Sequence, residues 1–184
     1  MNQINKIKQK PNDIKMTPLA LAKLCIDMTP IGIGDILMDG CKGTSNFYNQ
    51  FPNNPKLYCE IDEGIDFFTN NKEYDWFITN PPWSKITQTL IKACSQARKG
   101  IGILIGVMNL TPKRLQIIED CGFKITNIHF STVTGWLGAC AYIICQKQGN
   151  SFVTFSRKPF HMPGKEHEQF QKSKSQYMRN YRAT

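Results

Sequence analysis

Four consecutive residues, Asn80-Pro81-Pro82-Trp83, combine hydrogen-bond acceptors, a rigid backbone and a flat aromatic surface. Two successive prolines cannot donate backbone hydrogen bonds, and they hold the chain extended. The Asn80 side-chain oxygen and the Pro81 carbonyl are thereby presented as two fixed acceptors. A flat NH2 group donating to both would leave its nitrogen open to attack from above its plane. Trp83 offers a stacking surface for the ring that bears the amine.

Two further clusters carry polar chemistry. Asp39-Gly40-Cys41-Lys42-Gly43-Thr44-Ser45-Asn46-Phe47 is an acid followed by a glycine turn, in which Gly40 and Gly43 allow backbone N–H groups to approach a ligand. Its spacing matches neither a dinucleotide G-x-G-x-x-G nor a P-loop. Glu60, twenty-one residues after Asp39, is placed to accept hydrogen bonds from both hydroxyls of a ribose. Asp66-Phe67 follows, an acceptor for an adenine amino group beside a ring for its face.

These clusters belong at the ends of buried strands. Residues 35–39, 56–61, 75–79 and 101–108 read as short apolar strands, the last covered on both faces, and 124–131 and 139–146 as a final strand pair. Thr17-Pro18 has the form of a capped helix start, after which Leu21, Leu24, Cys25 and Met28 mark one apolar face. Asn46 to Phe51 reads as the start of another helix. Ile86, Leu90, Ala93, Cys94 and Ala97 define the inner face of the helix after Trp83, and Thr111-Pro112 caps one that Gly122 stops. Alternating strands and helices predict a doubly wound, Rossmann-like α/β fold with a mostly parallel sheet. The closing strand pair, with no helix between, predicts an antiparallel strand near one edge.

Composition bounds the rest. The chain has 184 residues, 41% hydrophobic and 20% charged, which suits one globular domain. No apolar run reaches the roughly 18 residues of a membrane span, and the N-terminus lacks the apolar stretch of a signal peptide. Seven cysteines without a C-x-x-C pair, none at zinc spacing from a histidine, predict buried reduced thiols, no metal and an intracellular location, cytoplasmic or nuclear. The net charge of +9 divides into +3 on residues 1–16, +1 on the body and +5 on 151–184. Residues 1–16 are accordingly read as a basic arm, 17–150 as the folded domain and 151–184 as a basic tail. Basic ends suit an acidic polymer met through its phosphates.

The Asp39–Gly43 turn with Asn46 and Phe47, then Glu60, Asp66-Phe67 and Asn80-Pro81-Pro82-Trp83, resemble the motifs of S-adenosylmethionine-dependent amino-methyltransferases acting on adenine N6 or cytosine N4. Thr17-Pro18 resembles the family's N-terminal motif that touches the methionine part of the cofactor. The likeness spans about residues 16–147. It implies S-adenosylmethionine as cofactor, held at its methionine end by Thr17, Pro18, Asp39, Gly40, Cys41, Gly43, Asn46 and Phe47. It further implies ribose binding by Glu60 beside Ile61, adenine binding by Asp66 and Phe67, and catalysis by Asn80, Pro81, Pro82 and Trp83. The family often carries proline after the first acid and glycine at the place of Ser45; here Gly40 stands in the former position.

The resemblance implies methyl transfer to an exocyclic amine of a nucleic-acid base, adenine N6 in DNA first. Lys85, Arg157, Lys158, Lys165, Lys172, Lys174, Arg179 and Arg182 are the expected phosphate contacts; the 184 residues leave the tails and the 131–138 loop to find a substrate, and a partner subunit for target recognition is the alternative. A glutamine side chain in a protein also presents a flat NH2, so glutamine-N5 methylation is the rival reaction. A non-catalytic nucleic-acid-binding subunit is the rival of another class.

Overall fold

The computed structural model describes residues 15–151 together with 153 and 154. Its centre is a six-stranded sheet in the order β2-β1-β3-β4-β6-β5, comprising β1 (Leu37–Asp39), β2 (Lys56–Tyr58), β3 (Tyr74–Thr79), β4 (Ala97–Gly106), β5 (Lys124–Thr132) and β6 (Ala139–Gln146). Strands β1 to β4 pair in parallel, and β6 runs antiparallel between β4 and β5. The expected antiparallel strand is therefore present one place in from the edge.

Strand alternation feeds a core on each face of the sheet. Trp76 and Ile78 of β3 enter one apolar cluster with Leu37, Leu104, Tyr142 and the buried face of α1 (Leu19–Met28). Phe77 enters the other with Met38, Ile101, Ile103 and Ile105, closed over by α2 (Ile86–Gln96) and α3 (Pro112–Asp120). The result is a three-layer sandwich with one helix on one side and two on the other. No helix among the described residues is long and apolar enough to cross a membrane.

Several elements differ from their sequence-based expectation. Pro18, not Thr17, occupies the N-cap of α1, and no side chain caps it. The buried face of α1 is Leu21, Ala22, Cys25 and Ile26, with Leu24 40% exposed; the small Ala22 and Cys25 are fully buried where they pack with the cluster. Asn46–Phe51 forms only a 3-10 turn over Tyr48–Gln50, because Phe47 and Phe51 are both drawn into the core and Pro52 follows. Strand β4 begins at Ala97 rather than 101: Arg98 pairs with Asp75 and Lys99 with Asp35, so these charged residues continue the strand instead of ending a helix. Six of the seven cysteines are buried or half-buried, and Cys121, at the C-cap of α3, is exposed. Val153 packs on the core, and Lys15 and Met16 line the cleft described below.

Candidate active site

In a parallel sheet, ligands bind beyond the carboxyl ends of the strands, where the chain order reverses. Here β1 has β2 on one side and β3 on the other, so the reversal lies between β1 and β3. Asp39 ends β1 and Thr79 ends β3, and the Thr79 hydroxyl donates to Asp39 Oδ1 over 2.7 Å, clipping the strand ends together.

Above this clip opens a cleft of about 330 Å³ lined by Lys15, Met16, Thr17, Cys41, Lys42, Gly43, Thr44, Asn46, Phe47, Glu60, Asp62, Glu63, Asn80 and Pro82. All three motif clusters meet there. Glu60 lies in the segment just past β2, and one carboxylate oxygen accepts the Gly43 N–H at 2.6 Å while the other accepts the Asp62 N–H at 3.1 Å. A carboxylate oxygen offers more than one acceptor site, so both retain capacity for hydroxyl donors. Gly43 takes a left-handed φ of +49°, which turns its N–H to Glu60 without steric cost. Ser45 also has a positive φ, 67°, the sole non-glycine among the described residues to do so. A side chain there costs about 1 kcal/mol, which accounts for glycine being common at that place in the resembled family.

Residues 15–17 cross the cleft and tie its two walls. Asn46 Nδ2 donates to the Thr17 carbonyl at 2.6 Å. Asn80 Nδ2 donates to the Lys15 carbonyl at 2.9 Å and to the Thr17 hydroxyl at 3.1 Å. A carbonyl can only accept, so the Asn80 amide orientation is determined: Nδ2 faces Lys15 and Oδ1 faces away. That oxygen is buried and has no hydrogen-bond partner among the described residues. Pro81 is buried, and the Pro82 carbonyl accepts the Lys85 N–H to close the turn that carries Trp83. Trp83 stands edge-on to Trp136, with ring centres 6.2 Å apart at 86°.

Other expected site residues lie elsewhere. Asp39 is fully buried beneath the cleft and is not among its lining residues; burial raises its carboxyl to about 6, against a lowering by the Thr79 hydrogen bond. Gly40 makes room for a ring: a Cβ there would come within 2.3 Å of Phe77 Cε2. Cys41 lines the cleft, its thiol pushed well above the usual range by burial. Phe67 is a core residue 4.9 Å from the Phe77 ring, and Asp66 accepts the Phe68 N–H; neither lines the cleft, nor do Pro18, Ile61 or Lys85. Arg157, Lys158, Lys165, Lys172, Lys174, Arg179 and Arg182 lie outside the described residues. Lys15, Met16, Asp62 and Glu63 are cleft residues that no motif reading selected. For the two acids a signal existed, their position directly after the strand-end Glu60. Lys42 pairs with Glu63 and sits 3.8 Å from the Tyr58 ring centre, bracing the rim.

The strand order, the inserted antiparallel strand and the cleft at the reversal point define a Rossmann-like α/β fold of the S-adenosylmethionine-dependent methyltransferase type. Solved structures bear this out. The chain is similar to TrmN from Thermus thermophilus, with a TM-score of 0.51, 12% identity, and coverage of 71% of this chain and 49% of that one. It is similar to magnesium protoporphyrin IX methyltransferase from Synechocystis PCC 6803 with bound SAM (0.52, 9%, 70% and 77%). It is also similar to the ribosomal protein L11 methylase of Lactobacillus delbrueckii subsp. bulgaricus (0.54, 15%, 70% and 78%). The chain spans about half the length of the TrmN chain. No protein-family model matches the sequence, and no curated protein does. At these identities the likeness establishes the fold alone.

Proposed function

We propose that the protein transfers a methyl group from S-adenosylmethionine to an exocyclic amine of a nucleic-acid base, adenine N6 in DNA. The observation that carries this reading is the Asn80 amide. Its Nδ2 is pinned by Lys15 and Thr17, and its Oδ1, on a residue lining the cleft, is left as an acceptor unpaired among the described residues. A buried acceptor without a donor costs about 1–3 kcal/mol, and an amine N–H removes that cost.

The lining residues fit the cofactor. Glu60 suits vicinal hydroxyls, while Thr17, Gly43 and Asn46 border the space beside it. When bound, S-adenosylmethionine supplies an activated methyl group on its sulfonium. The chain's own task is position and charge. Asn80 Oδ1 accepts one amine N–H and stabilises the positive charge that develops on nitrogen. Trp83 holds the ring that carries the amine. Orienting the amine in this way substitutes for a bimolecular encounter, an effect of up to roughly 7–11 kcal/mol.

The test incubates purified chain with methyl-labelled S-adenosylmethionine and separate pools of DNA, RNA and protein, followed by identification of the modified nucleoside or residue. N6-methyladenine in DNA, reduced on the order of 100-fold by Asn80→Ala, supports the reading. Label on glutamine alone replaces it with protein methylation, and undiminished transfer by Asn80→Ala removes the role given to that amide.

A further inference from the structure

The charges of the chain divide about Asp75. Up to that residue ten Asp/Glu outnumber eight Lys/Arg, whereas 76–165 holds eleven Lys/Arg and two acids, Glu119 and Asp120. Both acids lie at the C-terminal end of α3, which leads into the start of β5 and so away from the cleft. On the cleft side, three segments follow the carboxyl ends of β3, β4 and β5. Their charged residues, with those of the first turn of α3, are Lys85, Lys113 and Arg114, all basic.

Trp83 is bracketed by two of these segments. Gly106, at the end of β4, lies against it, since a Cβ there would sit 3.5 Å from the Trp83 ring. Trp136, in the turn between β5 and β6, meets it edge-on. Each of these segments also carries an exposed apolar side chain. Met108, two residues past Gly106, is 91% exposed, and Leu137, next to Trp136, is 88% exposed. Single exposed apolar residues are common, but these two lie on the two separate segments that contact the Trp83 ring. The turn bearing Met108 is braced: Arg114 Nη1 donates to both the backbone and the side-chain oxygen of Asn109, each over 2.9 Å. Such a braced tip can bear load.

We infer that Met108 and Leu137 are wedges that enter a base-paired target on either side of Trp83 and hold it open while the target base is extruded, an inference that rests on the nucleic-acid reading above. Apolar side chains inserted between base steps unstack them, and a base inside a duplex cannot reach a cleft unless it is flipped out. Phosphates on both sides would meet Lys85 and Lys113, and no acid in these segments opposes them. A single-stranded target needs no wedge, and this makes the inference separable from the reaction itself.

The experiment measures methyl transfer by the full chain and by Met108→Ala, Leu137→Ala and the double variant. Three forms of one adenine-rich DNA are used: native duplex, heat-denatured, and duplex with a fraction of its thymines converted to abasic sites. The double variant is expected to lose about tenfold or more on native duplex and less than about twofold on denatured DNA, with recovery on the abasic form. Equal losses on duplex and denatured DNA, or no loss on duplex, would overturn the wedge. Wild-type transfer to denatured DNA only overturns the wedge and leaves the proposed reaction standing, whereas no transfer to any nucleic acid overturns both. A change from dimer to monomer in the double variant would assign the tips to self-association instead and overturn the wedge.

Discussion

The Asn80 side-chain amide donates to the Thr17 hydroxyl over 3.1 Å, joining the end of β3 to a segment 63 residues earlier in the chain. With the Lys15 carbonyl, this bond decides which atom of the amide is left as acceptor. Thr17 is thus a positioning residue for Asn80, although neighbouring residues in sequence mark it as a helix cap.

Thr17→Val removes that bond while keeping the shape. The net loss of one hydrogen bond is about 1 kcal/mol, so turnover at saturating substrates should fall roughly five- to tenfold with a smaller change in cofactor affinity. Thr17→Ser, which keeps the hydroxyl, should restore it. Equal turnover in Val and Ser variants, measured side by side, would remove Thr17 from the positioning of Asn80.

In the proposed reading, Glu60 connects cofactor binding to the shape of the glycine turn. Glutamine offers one oxygen where the carboxylate uses two, so in Glu60→Gln either Gly43 or Asp62 would face an NH2 instead of an acceptor. Cofactor affinity by calorimetry should weaken about tenfold or more, and the fold should lose about 1–3 kcal/mol. Unchanged affinity would show that Glu60 serves the turn alone.

Gly40 illustrates what could be read from sequence and what could not. That a glycine turn follows the first strand, and that β3 runs into Asn80-Pro81-Pro82-Trp83, follows from residue types with strong local preferences: glycine, proline and short apolar runs. The reason for Gly40 is tertiary, because the position is filled from the far side by Phe77. The same holds for Lys15, which contributes a backbone carbonyl that no side-chain pattern announces, and whose charge assigns it to the arm instead. Asp66-Phe67 has the right types in the right order, yet Phe67 is spent on the core. Local pattern located the strand ends; which groups at those ends face the cleft depends on packing across the sheet.

Gly40→Ala should accordingly destabilise the protein by overpacking, by about 1–3 kcal/mol, read as a lower midpoint in denaturant. Phe77→Leu trims the opposing ring. The double variant should be less destabilised than the sum of the single changes, a coupling expected of residues in direct contact. Additive losses would mean that the clash is relieved elsewhere.

Asp39 predicts a pH dependence of stability with a definite sign. Its carboxyl is raised by burial from the usual 3.8 to about 6, although the Thr79 hydroxyl and the backbone N–H groups of Cys41 and Tyr48 pull it down. The folded protein therefore binds this proton more tightly than the unfolded chain, and stability attributable to the site falls as pH rises from about 4 through about 6. Above that range a buried charge is carried at a cost on the order of 3 kcal/mol. Asparagine is neutral and keeps an oxygen for the Thr79 hydroxyl and the Cys41 N–H. Asp39→Asn should gain stability relative to wild type as pH rises from 4 to 7, with the difference constant above pH 7, when both are unfolded by urea across that range. A difference independent of pH would show that the carboxylate does not titrate in this window. Loss of cofactor affinity at every pH would show instead that the ligand reaches the carboxylate, as the family resemblance implies and the buried position beneath the cleft argues against.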